Sequence, residues 1–293
     1  MNYHVILNPA AGRGKAGKQK ETILSTLRSV LGEVSYTETS AAGEARSAAA
    51  EFKNNNTIVI AVGGDGTVHE VINGLAGGKS SLAVVPIGSG NDFVKMLNLP
   101  LQISDAINVI KENRRKAVDL GKVNNTWFAN GLGIGFDADV VVQANKIRWL
   151  RGFLIYLLAV LRTLRQFKNR PVRIKYSGYD LQKDVFMISV GNGECQGGGF
   201  FLTPGAKVDD GLLDFCIFDA LKTRQILGNL IKVLLGTHIH LPQVNLVQSE
   251  KMVIESDSGI PLHADGEMVD HSAKLLEITV HPKALTVIHN IQT

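Results

Sequence analysis

At 293 residues the chain is long enough for two ordinary domains or one large one, and 45% hydrophobic with 20% charged residues excludes a disordered or fibrous protein. The net charge is only +4, and no nucleic-acid partner is expected. The longest uncharged apolar run, GFLIYLLAVL at 152–161, falls short of the roughly 20 residues a membrane-spanning helix needs.

Cys195 and Cys216 are the only cysteines and form no CxxC, so neither a disulfide framework nor a thiolate zinc site is expected. The start, MNYHVILNPAAG, lacks the charged opening and longer apolar stretch of a signal peptide. Both point to a reducing, cytoplasmic setting. The charge is unevenly spread. Between Asp139 and Asp180 there is no acidic residue and there are nine basic ones, in a stretch that is also strongly apolar.

In chain order, 3–8 reads as a short apolar strand and 15–31 as a helix with Ile23, Leu24, Leu27, Val30 and Leu31 on one stripe. A strand at 34–39, an alanine-rich helix at 43–53, a strand at 57–62, a helix at 68–75, a strand at 82–86 and a helix at 104–112 follow. Repeated strand–helix units build a parallel sheet that binds ligands at the carboxyl ends of its strands. Near residue 120 the pattern changes. Strands at 118–123 and 126–132 flank Asn124-Asn125, and strands at 173–176 and 181–190 flank a turn at 177–180. Further strands are expected at 212–218, 244–248, 251–255 and 275–280, with helices near 147–167 and 223–235. The fold class is therefore an α/β domain with a parallel sheet, over 1–122, and a mainly antiparallel β-sandwich-like domain over 123–282.

Three glycine-rich loops follow strands and precede helices. GRGKAGKQ at 12–19 matches GxGxxG, and it matches GxxxxGK but lacks a magnesium-binding hydroxyl at Gln19. What remains is an anion site, because a glycine-rich turn at a helix start presents backbone N–H groups and Lys15 and Lys18 add charge. The second loop, Gly63-Gly64-Asp65-Gly66-Thr67, sets three glycines within four residues after a buried strand. So much conformational freedom at one turn points to a phosphate chain approaching the backbone. Asp65 would repel phosphate, so it is expected to serve Mg²⁺, directly or through water. The third loop, PIGSGNDF at 86–93, offers Ser89 and the Gly88 and Gly90 amides for another part of the nucleotide, or a helix cap at Asn91 or Asp92.

Taken in order, NPAAGRGK at 8–15, Thr39, GGDGTVHEVINGL at 63–75 and PIGSGNDF at 86–93 resemble the diacylglycerol kinase catalytic domain family, and more closely its bacterial soluble lipid kinases. NGLGIGFDA at 130–138, GNGECQGGGF at 191–200, TPGAKVDDGLLD at 203–214 and HADGE at 263–267 extend the resemblance over nearly the whole chain. It implies an ATP-dependent kinase acting on a lipid hydroxyl, with 283–293 returning to the first domain. It also implies nucleotide contacts from Asn8, Pro9, Ala10, Ala11 and Gly12, from Thr39, from Gly63, Gly64, Asp65, Gly66, Thr67, Val68 and His69, and from Ser89. Glu70 and Asn73 would orient the helix after the second loop. Mg²⁺ would be held by the backbone carbonyls of Lys207 and Leu212 and the carboxylate of Asp210. Asp65 and Asp210 would share one magnesium network. HADGE supplies Asp265 or Glu267 as the general base.

Other readings stay open: a kinase of the same glycine-aspartate type acting on NAD or a sugar phosphate, an NAD(P)-dependent oxidoreductase built on GRGKAG, and a non-catalytic sensor. A lipid substrate implies a peripheral membrane contact at the inner face. On a helix over 147–167, Arg148, Arg151, Ile155, Leu158, Arg162 and Arg165 fall on one stripe, and Leu150, Leu154, Leu157, Leu161 and Leu164 on another. Trp149 and Phe153 would then dip into the headgroups. The alternative is a core helix with solvated arginines, and a homodimer is also left open.

Overall fold

The computed structural model describes residues 1–147 and 153–290. Arg148, Trp149, Leu150 and Arg151, on which the expected membrane helix partly rests, lie outside the described residues, as does the side chain of Phe153. The chain forms two compact units, one of residues 1–120 with the chain from Pro282 onward, the other of residues 121–281.

The first unit opens with β1 (Tyr3–Leu7), α1 (Ala11–Lys18), α2 (Lys20–Leu31), β2 (Ser35–Glu38) and α3 (Glu44–Phe52). It continues with β3 (Ile58–Gly63), α4 (Asp65–Leu75), β4 (Ser81–Pro86), α5 (Asp92–Met96) and α6 (Ile103–Glu112). The strands pair in parallel in the order β2-β1-β3-β4. Every residue of β3 and β4 is buried, as expected for parallel strands covered on both faces, which read as unbroken apolar runs rather than alternating ones. The helix expected at 15–31 is instead two helices, because Gln19 (φ −102°, ψ 5°) leaves helical geometry between them. Gly74 explains why α3 is rich in alanine. A Cβ at Gly74 would lie 2.5 Å from the Arg46 carbonyl oxygen and 2.6 Å from the Ala49 Cβ, so only small residues let α3 and α4 approach this closely.

The second unit contains the end of β5 (Arg115–Val123), then β6 (Thr126–Phe128), β7 (Gly131–Gly135), α7 (Phe136–Ala144), α8 (Phe153–Thr163), β8 (Arg170–Tyr176) and β9 (Tyr179–Gly191). β10 (Leu213–Asp219), α9 (Thr223–Leu234), a single 3-10 turn at Thr237–His240, β11 (Val244–Ser249), β12 (Lys251–Ala264) and β13 (Glu267–Ile288) follow. The pairing is antiparallel throughout β11-β10-β9 and β12-β13. β7 and β8 share one position, each pairing with β9 on one side and β12 on the other, at opposite ends of those two long strands. One sheet face encloses a hydrophobic core that includes Phe128, Ile188, Phe215 and Leu276. The other is covered by α7, α8 and α9 around Phe136, Phe186 and Phe218.

β13 then re-enters the first unit, where Thr286 and Val287 pair in parallel with Ser81 and Leu82 of β4. The Lys283 N–H donates to Asp119 Oδ1 at 2.7 Å. His238 is fully buried, stacks on Phe218 with ring centroids 5.4 Å apart, and lies 3.2 Å from the Leu202 carbonyl. Burial lowers its pKa and pushes the neighbouring Cys216 thiol up to about 12. This is a core histidine, as its lack of acidic neighbours in sequence suggests.

In α8 Ala159, Val160 and Thr163 are buried, and Ile155, Tyr156 and Leu158 pack half-buried against the same core. That face therefore takes in Ile155 and Leu158 from the first of the two stripes expected from spacing. Leu154 and Leu161 point outward.

Candidate active site

The first cluster of candidate residues stands where β1, β3 and β4 end. Strand register puts Leu7 opposite Val62 and Gly63 opposite Pro86, so the three loops leave the sheet side by side. Their contact is backbone against backbone. A Cβ at Gly64 would lie 3.2 Å from the Gly88 Cα, and one at Gly88 only 2.7 Å from the Gly64 Cα. Gly12, in the left-handed region at φ +60°, leaves no room either, since its Cβ would lie 2.6 Å from the Ile87 carbonyl. Gly63 accommodates the Thr67 side chain, whose Oγ1 would lie 2.4 Å from a Cβ there.

Side chains lock the loops together. Asn8 donates from Nδ2 to Thr67 Oγ1 at 3.1 Å, and its Oδ1 accepts the Ala10 N–H at 3.0 Å. Asp65 faces the third loop, with Oδ2 accepting the Asn91 N–H and Oδ1 the Asp92 N–H, each at 2.8 Å. The expectation was magnesium service for Asp65, and the structure gives both of its oxygens backbone donors. Glu70, expected to orient α4, accepts the Gly43 and Ala45 N–H groups at 2.8 and 3.0 Å and so ties α4 to the start of α3. The Asn73 amide bonds the His69 carbonyl one turn back at 3.0 Å.

The arrangement brings together Asn8, Gly12, Gly63, Gly64, Asp65, Thr67 and the loop around Ser89, which is exposed. Pro9, Ala10 and Ala11 form the turn into α1, where the Ala11 N–H bonds the Asn8 carbonyl at 3.1 Å. Gly66, Val68 and His69 lie in the first turns of α4, and Val68 is buried, so only its backbone could meet a ligand. Thr39 is buried too, and its N–H and hydroxyl both reach the Leu7 carbonyl, at 2.9 and 3.4 Å. The start of α4 has N–H groups without partners in the helix and the positive end of the helix dipole, which suits a phosphate group.

The second cluster lies in the other unit, at the β12–β13 turn. Ala264 pairs with Glu267, leaving Asp265 and Gly266 as a two-residue hairpin with φ +50° and +85°. Positive φ at both positions fits the tight turn that Asp-Gly favours. The Asp265 carboxylate is turned back into the protein. It accepts the N–H groups of Ala129, Asn130 and Gly131 at 3.0, 2.8 and 3.0 Å, and its own N–H bonds the Gly131 carbonyl at 2.8 Å. Glu267 is exposed.

His263 was no candidate in the sequence, yet it braces this turn. Its Nδ1 accepts the Gly266 N–H at 3.2 Å, so the proton sits on Nε2, which donates to Asp137 Oδ2 at 3.1 Å. The alternating glycines of β7 make room for such side chains. A Cβ at Gly133 would lie 2.1 Å from His263 Nε2, and one at Gly131 2.1 Å from Gln196 Nε2. The signal was present as histidine two residues before the Asp-Gly turn, with an aspartate at the β7–α7 junction, but no spacing rule links positions so far apart.

The third candidate is the loop of Lys207, Asp210 and Leu212. Asp210 is exposed, and its Oδ1 accepts the Leu212 N–H at 3.1 Å across Gly211 (φ +76°). Asp214 follows on β10 with its Oδ2 buried and lacking a hydrogen-bond partner. Burial, and after it the nearby Asp210 charge, push the Asp214 carboxyl up to about 6 against a hydrogen bond with Gln248. Among the described residues no group of three His, Cys, Asp or Glu is placed to hold a metal. The loop offers the Asp209 and Asp210 carboxylates and main-chain carbonyls, hard oxygen donors beside a buried carboxyl with an unmatched oxygen, and that chemistry fits a magnesium ion.

Comparison with known proteins adds two family models. Residues 2–123 match the diacylglycerol kinase catalytic domain, and residues 131–289 match the YegS C-terminal NAD kinase beta sandwich-like domain. The chain is 30% identical over 267 residues to a diacylglycerol kinase of Staphylococcus saprophyticus, covering 90% of this chain and 88% of that protein. It superposes on the crystal structure of a diacylglycerol kinase from Bacillus anthracis with a TM-score of 0.77 at 26% identity, covering 99% of this chain and 97% of that one. A yeast NADH kinase complexed with NADH shares the fold, with a TM-score of 0.57 at 10% identity over 99% of this chain and 84% of its own.

Proposed function

This chain belongs to the diacylglycerol kinase family, and on that premise we propose that it moves the γ-phosphate of ATP onto the hydroxyl of a diacylglycerol or a related lipid. The observation that carries the ATP assignment is the direct backbone packing of the Gly64 and Gly88 loops at the strand ends. Its support for the lipid comes from the names of the relatives. The NAD reading draws only on the fold shared with the yeast kinase.

In this reading the Gly12, Gly63–Gly66 and Gly88–Gly90 main chain receives the phosphates, with the start of α4 supplying N–H donors. Asp65 holds the second and third loops at one spacing, and would serve magnesium when it is bound. Glu267 takes the proton from the lipid hydroxyl. It is an exposed carboxylate beside a tight turn. Asp265 is a positioning residue, because its oxygens already serve three backbone N–H groups. His263 positions the same turn from below through Gly266.

Magnesium, when bound, would offset phosphate charge, and Asp210 with the Lys207 and Leu212 carbonyls would hold it. Asp210→Ala is therefore expected to cut turnover more than tenfold at low magnesium, with partial recovery in excess magnesium and little change in ATP affinity. Equal rates for variant and wild type at low magnesium would remove Asp210 from that role.

The substrate class is tested with γ-labelled ATP against diacylglycerol, phosphatidylglycerol, a polyprenol and a sphingoid base in mixed micelles. Label is expected in the diacylglycerol product above all. Label in none of the four would refute the lipid assignment.

A further inference from the structure

We propose that the outer face of α9, continued by Phe201, is a docking surface for an anionic lipid bilayer. Leu227, Ile231 and Leu235 recur every four residues and are 48%, 68% and 69% exposed, so they form one stripe along the helix. The adjacent side of α9 is already spent on the core through Ile226, Leu230, Val233 and Leu234. The stripe is thus not a core face left over from poor packing. Phe201, 40% exposed, adjoins its end, where its Cβ comes within 3.4 Å of the Cβ position of Gly236.

Charge identifies the occupant. From Ala220 to Ser249 the chain has no acidic residue, while Lys222, Arg224 and Lys232 are exposed. Arg224 stands one turn before Leu227 on the same stripe. The other acid-free stretch, between Asp139 and Asp180, contains α8, and α8 and α9 cover the same sheet face. Leu154 and Leu161 of α8 are also exposed, beside Arg162 and Arg165. A second copy docked face to face would set cation against cation. An anionic bilayer surface accepts both features, apolar side chains entering the headgroup boundary and basic ones meeting lipid charge. The choice of a bilayer as occupant rests on the lipid-kinase reading, and the surface itself does not.

The test is co-sedimentation of the full chain with vesicles of phosphatidylglycerol and phosphatidylcholine, or of phosphatidylcholine alone, without ATP or acceptor. Wild type is expected to partition at least tenfold more strongly onto the anionic vesicles, with the preference shrinking as salt rises. Leu227→Gln, Ile231→Gln and Leu235→Gln together should cut that partition about tenfold at an unchanged melting temperature. Arg224→Glu with Lys232→Glu should cut it at least as much. Equal binding to both vesicle types, or a triple variant that partitions like wild type, overturns the proposal. So does a vesicle-free wild-type dimer that the triple variant converts to monomer, which would assign the stripe to self-association. A chain that binds anionic vesicles yet phosphorylates no lipid would refute the kinase reading and leave this surface standing.

Discussion

Glu267→Gln is expected to lower turnover by roughly 10²–10⁴-fold, the usual contribution of a positioned general base, with ATP affinity unchanged. The amide keeps the size and exposure of the side chain but cannot take a proton. Asp265→Asn is expected to behave differently. It removes the charge that serves three backbone N–H groups at 2.8–3.0 Å, and hydrogen bonds to charged groups contribute about 1.5–3 kcal/mol each. Loss of part of that network should lower unfolding stability by about 2 kcal/mol, with turnover of the folded fraction within tenfold of wild type. Urea unfolding together with kcat on both variants separates the roles. A folded Asp265→Asn protein without activity, beside an active Glu267→Gln, would reverse the assignment.

Gly64→Val should raise the dissociation constant for ATP at least about 100-fold. The Gly64 Cβ position is already 3.2 Å from the Gly88 Cα, and the two extra methyl groups of valine leave the loops no choice but to separate. Two charge-assisted hydrogen bonds at about 1.5 kcal/mol each account for that factor. Gly88→Ala is the independent check, since its Cβ would stand only 2.7 Å from the Gly64 Cα. Calorimetric titration with ATP on folded variants decides it, and wild-type affinity in either would remove the packed loops from the nucleotide site.

Much of the first unit was legible because its signals are local. Buried strands such as 58–62 are continuous apolar runs, and each glycine loop sits directly between a strand and a helix. The second unit was harder to read. α7 went unseen because Val140, Val141 and Val142 look like strand, and packing against α8 and the sheet overrides that preference. The strand expected over 126–132 is broken at Ala129 and Asn130, whose N–H groups turn to meet Asp265, a residue more than a hundred positions away. That distant contact is also why sequence alone left Asp265 and Glu267 as equals. An Asp-Gly-Glu turn reads the same whether its aspartate faces solvent or the backbone of another strand. For Asp65 the sequence logic could not supply Asn91 and Asp92 as partners, because only the parallel pairing of β3 with β4 brings their loops together.

The lipid-kinase account is tested most directly by giving the enzyme γ-labelled ATP with diacylglycerol in mixed micelles and NAD in the same solution. The account predicts label in phosphatidic acid, none in the nicotinamide nucleotide, and loss of that labelling in Glu267→Gln. Label appearing in the nicotinamide nucleotide while the lipid stays unlabelled would contradict it.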